Sequence, residues 1–160
     1  VPFDVAGQTG ANVVVSYLLV SSPVINVPLA AARPGVFVWP DGSNRGIILN
    51  QDNNLNDANN RAPRGSVVTV FATGQGALNP PIATGAPAPA SPLSQAQNVT
   101  ASIGGQLARV LFAGMTPGFV GLFQVNLEVP AAAPVGAAVP IVITVGNIGS
   151  RSNVTIAVRE

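Results

Sequence analysis

The chain contains no cysteine, no histidine and no lysine among its 160 residues. Without histidine, the Ser-His-Asp and Cys-His relays that activate nucleophiles are excluded, and without cysteine there is no thiolate and no Cys-ligated zinc. Without lysine there is neither a Schiff base nor the phosphate-binding loop that ends in Gly-Lys-Ser/Thr. The sequence therefore predicts a protein that is not an enzyme, with no catalytic residue, no metal ion and no cofactor.

Charge and long apolar runs are scarce as well. Charged residues make up 8% of the chain, and the net charge is +1. The arginines form no basic stripe, which argues against a nucleic-acid partner, while 48% hydrophobic residues argue against disorder. The longest apolar stretches, residues 13–20 and 137–145, fall well short of the roughly 18 residues that a spanning helix needs. We therefore expect no membrane span.

Short strand-like segments fill the sequence in place of helices. Gln124, Asn126 and Glu128 alternate with apolar residues, as in an antiparallel strand that buries one face. Gly104-Gly105 indicates a two-residue hairpin turn, since both central positions of a type I′ turn need positive φ. The pattern predicts an all-β fold, specifically an immunoglobulin-like antiparallel β-sandwich with an extra N-terminal β-hairpin. Strands are predicted at residues 13–20, 67–71, 99–103, 108–112, 120–129, 139–145 and 154–158.

The opening of the chain is similar to its end. Val1-Pro2, Gly10-Ala11-Asn12-Val13 and Ser22-Pro23-Val24 match, with small gaps, Val129-Pro130, Gly136-Ala137-Ala138-Val139 and Ser152-Asn153-Val154. Residues 1–29 are therefore interpreted as a second copy of the closing hairpin, residues 129–158. Such a detached hairpin keeps an apolar face and an unpaired edge, which another surface must cover.

This repeat divides the predicted chain into three segments. Residues 1–33 form an N-terminal hairpin that resembles the end of a preceding module, residues 34–62 a connecting hairpin or loop, and residues 63–160 the sandwich. The hairpin is expected to dock on a neighbouring copy, which makes the protein a self-associating homopolymer. The predicted docking residues are Val13, Val14, Tyr17, Leu18 and Val20.

Several segments taken together resemble a bacterial family. They are AARPGVF (31–37), LNQD (49–52), RGSVVTVFATG (64–74), NPP (79–81), PAPASPL (87–93), IGGQ (103–106) and PGFVGLFQVN (117–126). With these segments the chain resembles the uncharacterised C-terminal immunoglobulin-like domain of secreted proteins from Solibacter and other acidobacteria. The resemblance implies an extracellular or cell-surface module without catalytic residues. Residues 53–57 depart from it, since that family tends to have Gly and Ser there.

The start at Val1, in place of methionine, suggests either a removed leader or a fragment. The matches to the glycosylation pattern at Asn98 and Asn153 are interpreted as accidental, because both lie on or beside strands.

Loop 52–57 is the one candidate cation site. Its side-chain oxygens are spaced like the start of an EF-hand, but Asp57 stands where that loop needs Gly and Pro63 where it needs a bidentate Glu. An Asn-rich turn in which Asp and Asn side chains bond their own backbone is therefore favoured over calcium binding.

Two functions remain open. In the first, the protein is a structural or adhesive surface module that assembles head-to-tail into a filament through hairpin docking. In the alternative, it is an accessory module that binds polysaccharide or another ligand on an aromatic platform formed by Phe37 and Trp39.

Overall fold

The computed structural model describes residues 2–160, which form strands and one short 3-10 turn at Phe3–Val5. The predicted all-β fold is confirmed. In the described residues no helix has the length and apolarity that crossing a membrane requires. The strands are β1 Gly10–Val13, β2 Ser16–Tyr17, β3 Val20–Ser21, β4 Ile25–Pro28, β5 Gly35–Val36, β6 Ile48–Leu49, β7 Ala62–Pro63, β8 Val67–Thr73, β9 Leu78–Asn79, β10 Gln95–Ala96, β11 Val99–Ile103, β12 Gln106–Met115, β13 Phe123–Glu128, β14 Gly136–Val145, β15 Ile148–Gly149 and β16 Thr155–Arg159.

One twelve-stranded sheet forms the body of the protein, residues 32–160. Its main path runs β5-β8-β13-β12-β11-β14-β16-β7, with β6, β9, β10 and β15 attached beside that path. The pairing of β16 with β7 is parallel, and the other strand pairings are antiparallel. The four strands before residue 29 form two small separate sheets, β1-β4 and β2-β3.

The large sheet curls because two long strands change partners along their length. The first residues of β12, up to Ala108, pair with β11, and the residues from Arg109 onward pair with β13, with a β-bulge at Leu111 close to this change of partner. Likewise, the first half of β14 pairs with β16 and the second half with β11. Strands that switch partners at a bulge turn a corner in the sheet. The sheet therefore bends into a half-barrel with the core inside.

The core consists of the inward-facing side chains of this curled sheet. On β13, Phe123, Val125 and Leu127 are fully buried, and the three polar residues that alternate with them, Gln124, Asn126 and Glu128, are half-buried. This alternation confirms the prediction of a strand with one buried face. Ile141 and Ile143 of β14 complete the same cluster, which contains no residue before Ala32. The N-terminal hairpin therefore contributes nothing to the core.

Residues 34–62 supply edge strands to the body. β5 and β6 both pair with β8, at one end of the sheet path, and β7 pairs with β16 at the other. The Gly104-Gly105 turn also forms as predicted, with positive φ at both residues and Ile103 paired to Gln106.

The prediction of a single strand over residues 13–20 is wrong. The chain reverses at Leu18 and Leu19, whose φ values are 46° and 67°, and β3 returns antiparallel to β2. Leucine rarely adopts this left-handed conformation, because its Cβ then crowds the backbone. Because leucine is so rare in such turns, the sequence alone predicts an unbroken strand here. The predicted strand 120–129 is also shorter, because β13 begins at Phe123, after a turn with positive φ at Gly118 and Gly121.

We predict that the body unfolds independently of the N-terminal hairpin. Phe123→Ala empties a fully buried site and is expected to cost about 3–5 kcal/mol of unfolding free energy. Val14→Ala, in the exposed hairpin, is expected to change the unfolding free energy of the monomer by less than about 0.5 kcal/mol. Urea titration followed by circular dichroism at low protein concentration measures both. Equal losses in the two variants would contradict the separation of hairpin and core.

Candidate docking site

The N-terminal hairpin, residues 10–28, is one ribbon made of two short ladders. At its base β1 pairs with β4, from Gly10 opposite Pro28 to Val13 opposite Ile25. At its tip β2 pairs with β3 around the Leu18-Leu19 turn. Ser22 joins the two ladders, because its N–H donates to the Val15 carbonyl at 2.9 Å and its Oγ accepts from the Val15 N–H at 3.1 Å.

The closing hairpin of the body, β14 to β16, contains the same arrangement. There the Ser150 N–H donates to the Ile143 carbonyl at 2.8 Å, and the Ser150 Oγ accepts from the Ile143 N–H at 3.1 Å. A two-residue turn follows Val145, as one follows Tyr17 in the N-terminal hairpin. Residues 13–17 and 20–22 therefore correspond to residues 141–145 and 148–150. The predicted alignment, which matched Val13 to Val139 and Ser22 to Ser152, is two residues off at both places. Val1, the first residue of the predicted repeat, lies outside the described residues.

The two hairpins differ in how much of them is covered. Ile143 and Val145 of the closing hairpin are buried in the core, whereas the corresponding Val15 and Tyr17 are 67% and 75% exposed. The predicted docking residues all lie on this uncovered ribbon, which is also the part of the chain where large apolar side chains are most exposed. Their exposed fractions are 45% for Val13, 46% for Val14, 75% for Tyr17, 78% for Leu18 and 73% for Val20.

The tip of the N-terminal hairpin is strained as well as exposed. Gly146 occupies the first turn position of the closing hairpin with φ 61°, while Leu18 occupies it in the N-terminal hairpin. A left-handed conformation costs a residue with a Cβ about 1–2 kcal/mol, and Leu18 and Leu19 both adopt it. Strain of this kind concentrates where the side chain has a function. The turn therefore exposes two leucine side chains, at 78% and 105%, in a conformation that is costly for leucine.

The apolar surface of the hairpin is large when both faces of the ribbon are counted. Its nine large apolar residues expose the equivalent of about six whole side chains, or on the order of 600 Å² at about 100 Å² each. This area lies at the upper end of the patches found on monomers and approaches the roughly 800 Å² that each partner contributes to a stable complex. No charged residue lies between Asp4 and Arg33, so docking would desolvate no ion.

The hairpin is anchored to the body mainly through its following linker. The Arg33 N–H donates to the Gly74 carbonyl at 2.9 Å. The two backbones approach so closely that a Cβ on Gly74 would clash with the Arg33 carbonyl, and Gly74 also has φ +77°. The Asp4 N–H adds a hydrogen bond of 3.2 Å to the Thr84 hydroxyl. The base of the hairpin is thus fixed, and its tip projects away from the core.

Loop 52–57 forms the predicted Asx turns. Asp52 Oδ1 accepts a hydrogen bond from the Asn54 N–H, which lowers the pKa of Asp52. Asp57 Oδ1 accepts from the N–H groups of Asn60 and Asn59, and these bonds lower its pKa in the same way. Within residues 2–160 no three His, Cys, Asp or Glu side chains come together in a metal-binding cluster.

Asn56 of this loop covers the outer edge of β16. Its side chain is 1% exposed, and its Nδ2 and Oδ1 bond the carbonyl and N–H of Ala157 at 2.8 and 2.7 Å. One amide side chain therefore replaces a neighbouring strand at that position. Thr155, two residues earlier, bonds Asn44 and Gly46 through its backbone, so the edge is closed on both sides of Ala157.

Phe37 and Trp39, the predicted ligand platform, lie two residues apart on an extended segment and so point to the same side. Phe37 is 41% exposed, whereas Trp39 is half-buried and Arg45 lies 5.0 Å above its ring. Asp41 holds Arg45 at 3.8 Å, and hydrogen bonds from Ser43 lower the pKa of Asp41. The Trp39 Nε1 is buried and has no hydrogen-bond partner among the described residues.

The structure places Glu128, Asn98 and Asn153 on or beside strands of the body. Glu128 stands opposite Arg109 on the neighbouring strand, with 3.5 Å between Oε2 and Nη1, so the two form a cross-strand ion pair. Asn98 precedes β11 with φ 54°, and the exposed Asn153 contacts Asn44 at 3.3 Å.

Searches of protein-family models, of curated proteins and of solved structures find no match to this chain.

We predict that the stability of the body depends on Asn56. Asn56→Ala would leave the buried N–H and carbonyl of Ala157 without partners and is expected to cost about 3 kcal/mol of unfolding free energy. Asn59→Ala is the matched control, because the Asn59 side chain is exposed and only its backbone bonds Asp57. Denaturant titration of both variants gives the difference. A loss of stability as small for Asn56→Ala as for Asn59→Ala would show that the edge does not need this cover.

Proposed function

We propose that this protein is a non-enzymatic structural or adhesive module of a secreted bacterial surface protein. It assembles head-to-tail into an extracellular filament when the N-terminal hairpin of one copy docks on the next. The observation that carries this proposal is the pair of equivalent hairpins, of which one is buried in a core and the other is exposed over the same positions.

The strand order supports an immunoglobulin-like sandwich as the finer description of the body. β5, β8, β13 and the second part of β12 follow one another as strands A, B, E and D do in that fold, and β11, β14 and β16 follow as C, F and G. The proposed membership of the acidobacterial family rests on the segments that resemble it, and so does the proposed extracellular location.

A filament also follows from where the hairpin sits. The hairpin takes no part in the core of its own copy, so donor and acceptor are different surfaces. Repetition of such a heterologous contact produces an open chain of subunits unless the rotation happens to close a ring.

We predict that Val13→Asp and Leu18→Asp abolish assembly and leave the body folded. Each places a charge on the apolar ribbon, which would have to be desolvated on docking. Val135→Asp is the matched control, because Val135 is a body residue 44% exposed, against 45% for Val13. Sedimentation velocity and electron microscopy measure assembly, and circular dichroism measures folding. A wild-type protein that stays monomeric, or variants that assemble fully, would contradict the proposal.

A ligand-binding module is the second candidate, favoured by the unpartnered Trp39 Nε1 beside the exposed Phe37. Trp39 is the single tryptophan, so its fluorescence reports directly on this place. If the platform binds, soluble polysaccharide shifts the emission in a saturable way, and Phe37→Ala weakens that response. Emission that stays unchanged across a panel of polysaccharides would exclude the platform.

A further inference from the structure

Edge strands of the body are covered at both ends of the sheet path. On one side β5 and β6 lie along β8, from Thr69 to Thr73. On the other side β7, Asn56 and the backbone of residues 44–46 lie along β16. Uncovered edges pair with other chains, and natural proteins generally protect them. A remaining open edge is therefore informative.

β12 has such an open edge, residues 109–113, on its side away from β13. On that side its ladder with β11 ends at Ala108, and contact with β10 is made at Gly114. Within residues 2–160 no strand pairs with the five residues between them on that side. The gap arises where β12 leaves one partner strand for the other.

The open edge borders a shallow groove of about 230 Å³ that contains no charged side chain. Leu111 lines this groove and is 45% exposed. Lysine and proline, which commonly guard edges, are absent from residues 109–113, and the one charged residue there, Arg109, is paired with Glu128. The bulge at Leu111 twists the edge but leaves it apolar. The groove is lined by Gln95, Ala96, Val99, Val110, Leu111, Phe112 and Ala113.

The closing hairpin shows which strand of the N-terminal hairpin should bind an edge. In the body, residues 141–145 of β14 pair antiparallel with β11 along five residues. Their counterparts are residues 13–17, whose outer side pairs with no strand in the part of the chain that the structure describes. Five residues span about 17 Å, which matches the five-residue open edge.

We propose that residues 13–17 of one copy pair with the open edge of β12 in the next copy. This inference rests on the proposed assembly through the hairpin and names the acceptor. Backbone hydrogen bonds supply part of the affinity, as in other cases of strand addition. Val14 and Val15 lie between β1 and β2, so the side on which Val13, Val15 and Tyr17 lie is inferred from their counterparts. Ile141, Ile143 and Val145 cover the core, and Val13, Val15 and Tyr17 are expected to cover the groove in the same way. The area available on the hairpin, with both faces of the ribbon counted, approaches what a stable complex needs.

The test uses two chains that each lack one half of the contact. Deletion of residues 1–29 removes the donor and leaves the core complete, since the core contains no residue before Ala32. Leu111→Lys places a charge at the centre of the open edge in an otherwise full-length chain. Each chain alone is expected to be monomeric, and an equimolar mixture is expected to form 1:1 dimers and nothing longer, measured by sedimentation velocity. Leu107→Lys is the control, because β12 is already paired at that residue, and it should assemble like wild type.

The possible outcomes distinguish a wrong acceptor from a wrong proposal of assembly. If the deletion abolishes assembly while Leu111→Lys assembles like wild type, the hairpin docks elsewhere and the acceptor is wrong. If the deletion variant still assembles, or the wild type stays monomeric, the proposed function fails as well. A compact monomer whose hairpin is protected at every concentration would show that the hairpin docks on its own body, which overturns both.

A crosslinking measurement covers the case in which Leu111→Lys does not fold. The chain has no cysteine, so Val15→Cys and Leu111→Cys can be introduced in separate copies. Residues 15 and 111 are the central residues of the two five-residue segments. They therefore lie opposite each other whether the two segments pair parallel or antiparallel. Mixed copies are expected to form a disulfide-linked dimer under mild oxidation, and Val15→Cys mixed with Leu107→Cys is expected to form several-fold less. Equal yields from the two mixtures would overturn the acceptor.

Discussion

A β-hairpin with an apolar face needs another sheet to cover it, and both ends of this chain are subject to that constraint. A two-stranded ribbon is at best marginally stable in water, because it can bury too little surface by itself. At the end of the chain, β14 to β16 meet the requirement by pairing with β11 and burying Ile141 and Ile143. At the beginning, the equivalent ribbon has the same turn and the same serine bridge, but its apolar face is exposed.

The strand edges of the body also differ in whether another part of the chain covers them. The segment of residues 34–62 has few core residues, yet it covers β8 with two short strands and β16 with a strand, a loop and the Asn56 side chain. The edge of β12 has none of these devices. Covered ends, an exposed ribbon and one open apolar edge fit together as the parts of a repeating contact. With no histidine and no cysteine, no side chain of ordinary pKa titrates between about pH 5 and 8, so such a contact would be insensitive to pH in that range.

The sequence predictions that the structure confirms rest on patterns of neighbouring residues. The alternation around Gln124 and Asn126 and the Gly104-Gly105 turn depend on neighbouring residues only, and both form as predicted. The Leu18-Leu19 turn was not predicted, because leucine is a poor turn residue. The only indication of a turn in the sequence is Gly146, which occupies the same position in the closing hairpin. Asn56 could not be assigned a role because its partner, Ala157, is 101 residues away. The open edge follows from the change of partner in β12 after Ala108, which is a product of the curled sheet as a whole.

Hydrogen exchange at the amides of residues 13–17 tests most directly whether another molecule covers the N-terminal hairpin. Measured by mass spectrometry over a hundredfold range of protein concentration, exchange at these amides is predicted to slow as the concentration rises, while the amides of β13 stay protected throughout. Fast exchange of residues 13–17 at every concentration, with the core protected as before, would contradict the account, because the ribbon would then remain uncovered in a fully folded protein.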